Sequence, residues 1–215
     1  MRYNPLPTDF FTRTRTRFVE EMAEQSLAVF FSAVPVIRSA DAFHHYRQSS
    51  DFFYLTGIEQ ENCALMLHPE NRKGKTGTLF IPEPDPSRET WSGKMLTKEQ
   101  AEELSGISEI RWMDSFENEF LRAQRRAEIV YLDYNDYGFR YPTSDETAFI
   151  RKVRERLPGL QIRKANAIVH DMRRVKSAEE IDLIRHAIRI TDEAIRALWR
   201  QTKPEMKEYE LEAVL

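Results

Sequence analysis

Tyr46-Arg47-Gln48-Ser49-Ser50-Asp51-Phe52-Phe53-Tyr54-Leu55-Thr56-Gly57 passes without a break from polar and charged residues into an aromatic run, then stops at a glycine. Phe52, Phe53, Tyr54 and Leu55 are strand-favouring side chains, and Gly57 supplies a turn, so the composition predicts a strand over 52–56. A buried strand has no need of Arg, Gln, two Ser and Asp against its first residue. The expectation is that Arg47 and Asp51 pair to fix the entry, while Gln48 and the serines satisfy backbone groups.

Around this stretch the pattern alternates. Thr8 to Glu24 reads as a helix capped by Thr8 or Asp9, with Phe11, Phe18 and Met22 on one face. Leu27 to Phe31, Ala64 to Leu67 and Thr78 to Ile81 are short apolar runs of strand length, and residues 71–77 suit a hairpin connection. Pro82, Pro84 and Pro86 then break the chain. Thr97 caps a helix through Leu104 that Gly106 ends. An edge strand at Ile107 to Met113, an amphipathic helix at Phe116 to Arg125, a strand at Ile129 to Leu132 and a helix at Asp145 to Leu157 follow. Strands alternating with helices predict an α/β fold with a mixed central sheet flanked by helices.

The last forty or so residues change character. Ser177-Ala178-Glu179-Glu180 is a capping box, and Ile181, Ile184, Ile188, Ile195 and Leu198 share the face of one long helix. Lys203-Pro204 ends it, and Tyr209 to Leu215 begins another. A chain that stops inside a helical pattern is expected to belong to a longer protein.

Composition narrows the function classes. At 215 residues with 41% hydrophobic side chains, the chain can bury one sizeable core and begin a second unit. A net charge of −3 with both signs mixed gives no electrostatic case for nucleic acid or an anionic membrane. The Arg13-Thr14-Arg15-Thr16-Arg17 run reads as a solvated helix face. No stretch approaches the ~20 apolar residues of a membrane span, and the first residues lack the apolar core of a signal peptide. The single cysteine, Cys63, lies in an apolar run and reads as a buried residue. These features point to a cytoplasmic protein.

Chemistry is sparse. His44-His45 is the only histidine cluster, and neighbours on a strand face opposite ways, so solvated imidazoles are expected. Asp133-Tyr134-Asn135-Asp136-Tyr137-Gly138 has the wrong spacing for a calcium loop and reads as a turn. The seven glycines form no phosphate loop, and no serine sits in a nucleophile elbow. Neither catalytic nor metal-ligating residues are expected within 1–215.

Taken with Arg38-Ser39-Ala40-Asp41, Glu89-Thr90-Trp91-Ser92-Gly93 and the stretch from His170 to Ile181, the opening motif resembles the N-terminal part of Xaa-Pro aminopeptidases (aminopeptidase P), relatives of prolidase and creatinase. The resemblance covers nearly the whole chain. It implies an aminopeptidase P N-terminal domain over 1–173, then a linker and the first helix of a truncated pita-bread catalytic domain over 174–215. It further implies two manganese ions, held beyond this chain by two aspartates, a histidine and two glutamates, and a homo-oligomer acting on proline-containing peptides. Trp91 matches a tryptophan that reaches a substrate pocket in a neighbouring subunit. Asp41 matches an acidic position at the cleft mouth, with Arg38 beside it. Trp91 could equally cover a core edge, and Arg38 and Asp41 could form a local ion pair. His170, Arg173 and Lys176 are expected to order the junction into the long helix. Ser49 departs from the family, which often has asparagine there. A prolidase- or creatinase-like domain and a catalytically inactive interaction module remain open alternatives.

Overall fold

The computed structural model describes residues 6–69, 77–87, 89, 93–134 and 145–214. They form two compact units, Met1–Met172 and Arg173–Leu215. The first opens with α1 (Thr8–Glu20), followed by β1 (Ser26–Phe31). A short hairpin of β2 (Ile37–Ser39) and β3 (Ala42–Phe43) precedes α2 (Ser50–Thr56). Next come β4 (Ala64–Leu67), β5 (Thr78–Ile81), α3 (Lys98–Ser105) and β6 (Glu109–Trp112). The unit continues with α4 (Phe116–Ala123), β7 (Ile129–Leu132), α5 (Asp145–Arg156), β8 (Gln161–Lys164) and α6 (Asn166–Arg174), which runs across the unit boundary.

Six strands make one mixed sheet in the order β6-β5-β4-β1-β7-β8. β4 runs antiparallel to both neighbours, whereas β5–β6, β1–β7 and β7–β8 pair in parallel. Five strands therefore share a direction and β4 alone opposes them. The period of two assigns alternate residues to opposite faces. Ala28, Phe30, Leu65, Leu67, Leu79 and Ile81 pack with Phe11 and Phe18 of α1, Phe52 and Leu55 of α2, and Val169 of α6. Leu27, Val29, Phe31, Ala64, Met66 and Phe80 pack instead with Phe116 and Phe120 of α4 and Ile150 and Val153 of α5. Helices on both faces explain why the central strands are apolar throughout rather than alternating. The expected sheet flanked by helices is what the chain forms.

Several local expectations need correcting. Residues 50–56 are a helix, not a strand. Ser49 caps it by accepting from the Phe52 N–H, Asp51 lies in its first turn, and Gly57 ends it at φ 70° in the left-handed region. The aromatics fit because Phe52, Tyr54 and Leu55 reach one apolar layer, with Tyr54 edge-on to Phe10 at 5.6 Å. Pro7, without a side-chain bond, precedes α1, which stops at Glu20. β8 has little apolar signal (Gln161-Ile162-Arg163-Lys164) and exists through its register with β7 at the sheet's edge. The 71–77 connection falls largely outside the described residues, although β4 and β5 are antiparallel neighbours.

The largest departure is Arg15. Arg13 and Arg17 are exposed, but Arg15 is fully buried. At about 100° per residue, positions 13 and 17 point together, while 15 falls on the face of Phe11, Phe18 and Met22. Its guanidinium donates to the carbonyls of Leu55 (2.7 Å) and Ser105 (2.7 Å) and to the Thr12 hydroxyl (3.3 Å). Those carbonyls end α2 and α3, where unsatisfied acceptors and the negative ends of two helix dipoles meet. Both helices close on a left-handed glycine, Gly57 and Gly106. A Cβ on Gly57 would lie 2.5 Å from the Phe11 ring. Burial pushes the Arg15 guanidinium down to about 9, which leaves it charged at neutral pH.

In the second unit, α7 (Ala178–Gln201) starts at the expected capping box. The Ser177 hydroxyl accepts from the Glu180 N–H, and the Glu180 carboxylate accepts from the Ser177 N–H. A short α8 (Glu208–Glu212) follows. Neither helix has a buried residue.

Candidate functional site

The opening motif meets the end of β1 and the loop after α2. Ala33, two residues past that strand, donates its N–H to Gln48 Oε1 at 2.7 Å, and the Ser49 N–H donates to the same oxygen at 2.8 Å. Gln48 Nε2 donates to the carbonyls of Ile58 (3.2 Å) and Gln60 (3.0 Å). One buried amide thus uses two acceptor and two donor positions, its full capacity. Tyr46 adds a bond from its hydroxyl to the Ala33 carbonyl at 3.2 Å. The polar entry to α2 is the clamp that closes the 33–48 excursion and ties it to the loop after α2. Gln48 satisfies backbone groups as expected.

The clamp extends to a third segment. Gln60 Oε1 accepts from the Leu96 N–H at 2.7 Å, and Glu89 Oε1 accepts from the Met95 N–H at 3.0 Å. The connection that contains Trp91 is therefore anchored, through Leu96 and Gln60, to the loop Gln48 grips. Gln60 is a positioning residue that nothing in its local sequence announced. Trp91 itself lies outside the described residues.

Beyond the clamp stands the β2–β3 hairpin, with residues 36–45 all exposed. Arg38 is on β2 and Asp41 in the turn, next to Ala40 at φ 48°. Val36, Ile37 and Phe43 are more than half exposed. His44 and His45 are exposed as well.

Asp51 is not held by Arg47, which is exposed. Its buried carboxylate lies 3.4 Å from Nε2 of His170 on α6. An acid in the first turn of α2 is favoured by the helix dipole, and His170 links that turn to α6. Lys176 bonds the Arg173 carbonyl, so part of the expected junction-ordering set acts locally. At the end of β7, Asn166 accepts from the Tyr134 N–H at 3.1 Å and donates to Asp133. The rest of the 133–138 turn lies outside the described residues.

Reactive groups are scarce. Burial pushes the Cys63 thiol up to about 12 and, with the negative charge at Glu61 contributing, raises the Tyr46 phenol as well. Thiolate chemistry at Cys63 is therefore disfavoured at neutral pH. Among the described residues, no three His, Cys, Asp or Glu side chains converge as a metal site would require. No described helix is long and apolar enough to cross a membrane.

These features define a three-layer α/β domain whose polar residues hold loops in place. Residues 11–131 match the family "Aminopeptidase P, N-terminal domain", and the chain belongs to that family. It is 31% identical over 208 residues to the Xaa-Pro aminopeptidase of Escherichia coli, covering 94% of this chain and 46% of that protein. It is 25% identical to the human Xaa-Pro dipeptidase, covering 97% of this chain and 42% of the relative. A solved aminopeptidase P from E. coli superposes with a TM-score of 0.86 at 28% identity, over 98% of this chain and 49% of the other. A zinc-substituted form of that enzyme has been solved with product. The chain spans about half the length of the relatives it matches.

Proposed function

We propose that residues 1–215 form the N-terminal part of a metal-dependent Xaa-Pro aminopeptidase, which removes the residue preceding an N-terminal-side proline. The domain division proposed is 1–173 for the N-terminal domain and 174–215 for the start of the catalytic domain. The observation that carries the reading is the match of almost the whole chain to about half of each Xaa-Pro peptidase. The resemblance to Xaa-Pro aminopeptidases assigns the implied pair of manganese ions to residues beyond this chain.

The contribution of this part is then to wall the substrate cleft and support oligomerisation. Trp91 supplies a flat amphipathic ring suited to a proline face. Asp41 and Arg38, on an exposed hairpin, are proposed to pair across a domain or subunit boundary. The buried clamp at Gln48 and the anchor at Gln60 support this by holding the hairpin base and the Trp91 connection to one loop. A cytoplasmic setting is part of the same proposal.

The test uses the complete gene product with added manganese. Cleavage of Xaa-Pro-Yaa tripeptides is expected, with no turnover by residues 1–215 alone. Hydrolysis of Xaa-Pro dipeptides in preference would move the assignment to the dipeptidase relative. An intact protein that neither binds metal stoichiometrically nor cleaves either substrate would leave an interaction module instead.

A further inference from the structure

The sheet has a second polar end. At the N-terminal ends of β1, β5 and β6, away from the Gln48 clamp, a cleft of about 400 Å³ opens beneath the end of α4. That volume falls within the range of small-molecule sites. Its lining includes Gln25, Thr78, Glu109, Glu119, Arg122 and Arg126.

The charges sort into two groups. Arg111, behind the wall, donates through Nε (3.1 Å) and Nη2 (2.7 Å) to Glu109, and its Nη1 lies 2.6 Å from Glu119. Arg122 donates to the same Glu119 oxygen at 2.9 Å. Both carboxylates are thus engaged by guanidinium groups of the protein itself. The other group is unengaged. Among the described residues, the Arg126 guanidinium and the Gln25 side-chain amide, both on residues exposed to solvent, and the Thr78 hydroxyl make no hydrogen bond or ion pair within the protein. Thr78 is only 7% exposed, and its hydroxyl oxygen is not sealed from water, so it stays open to a ligand in the cleft it lines. Three donors face one cavity, and the acids that could have served them are held elsewhere. Arg126 lies one turn past Arg122, so both cations border the same space.

We propose that this cleft binds a small molecule through a single oxyanion group, a carboxylate or a phosphate. Arg126 supplies the charge, and Thr78 and Gln25 donate to the remaining oxygen positions. Glu109 and Glu119, fixed by Arg111, disfavour larger polyanions and restrict the site to a compact ligand. This inference stands apart from the peptidase proposal and survives its failure.

The test is a titration of the 215-residue chain, in buffer free of other oxyanions, with inorganic phosphate and separately with acetate. It is followed by amide chemical shifts. Saturable shifts at Gln25 and Thr78 below about 10 mM are expected with at least one probe, and the probe that saturates identifies the group. Arg126→Ala and Thr78→Val should each weaken binding about tenfold, while Thr78→Ser retains it. Arg163→Ala, on the exposed edge strand β8, should leave binding unchanged. A Thr78→Val protein with altered amide shifts across the sheet would be replaced by Gln25→Leu, for which the same loss is expected. Absence of saturation with both probes overturns the site. So does equal weakening by Arg163→Ala, which would signify diffuse charge attraction screened by salt. If Arg126 only complements the end of α4, Arg126→Ala will lower stability and leave any binding intact, and the proposal fails.

Discussion

Residues 6–172 and residues 173–214 carry hydrophobic patterns of similar strength and meet different ends. In the first unit, α1 presents Phe11, Phe18 and Met22 at helical spacing, and all three are buried against strands. In the second, α7 presents Ile181, Ile184, Ile188 and Ile195 at the same kind of spacing, and all are exposed, Ile188 at 60%. Trp199 is 73% exposed on the same helix. An amphipathic stripe and a capping box suffice to form a helix, but burial needs a second surface. The sheet supplies that surface in the first unit; the second contains none of its own. Stability in the first unit should therefore respond to single substitutions that the second unit tolerates.

The strongest attack on this contrast is Phe52→Ala. The side chain is completely buried between α2 and the sheet, so its loss should destabilise the first unit by about 3–5 kcal/mol. Denaturant unfolding followed by near-UV circular dichroism measures it. A loss below about 1 kcal/mol would mean that the layer tolerates cavities and that the contrast is weak.

Arg15→Met comes next. It keeps the volume but removes the donors from two buried helix-end carbonyls, each such bond contributing about 1–3 kcal/mol. Part of that loss is offset because the charge is no longer desolvated, the same burial that pulls the guanidinium down to about 9. A net destabilisation of about 2–4 kcal/mol is expected in the same unfolding measurement. A more stable variant would show that the apolar layer alone holds α2 and α3 in place.

Gln48→Leu strips four bonds from the clamp and should destabilise by about 2 kcal/mol. Its distinguishing readout is local. Amide hydrogen exchange should accelerate at Ala33 and Ser49 while the central strands stay protected. Uniform acceleration across the sheet would show that Gln48 is a core residue rather than a local fastener. The smallest effect belongs to the second unit. Ile188→Gln should change the unfolding midpoint of this chain by no more than about 0.5 kcal/mol. A larger loss would reveal a packed surface on α7 and break the comparison.

Much of the fold was legible for identifiable reasons. The Thr97 and Ser177 caps encode helix starts in the bonding capacity of a hydroxyl: the Ser177 box forms as read, and the Thr97 cap gains a reciprocal bond with Gln100. The apolar runs of β1, β4, β5 and β7 announce doubly covered strands. The opening stretch misled because aromatics favour strands only on average. Ser49, Asp51 and Gly57 were a cap, a dipole-matched acid and a C-terminal stop, and together they outweighed that propensity. Arg15 is readable from helical phase, since it falls on the apolar face, although arginine as a residue type favours the surface. Of the candidate site, Gln48 showed itself as a polar residue with no surface role. Gln60 did not, because its partner is 36 residues away along the chain.

Sequence alone determined what depends on neighbours a few residues apart: which segments are helices with proper ends, which runs are apolar enough for a covered sheet, and the family to which the chain belongs. Tertiary structure decided the rest. It made β8 a strand by offering β7's free backbone edge, paired Asp51 with His170 rather than Arg47, and gave a buried arginine two helix ends to hold. Each of those outcomes rests on groups far apart in the chain, whose hydrogen-bonding needs are met only once the layers have assembled.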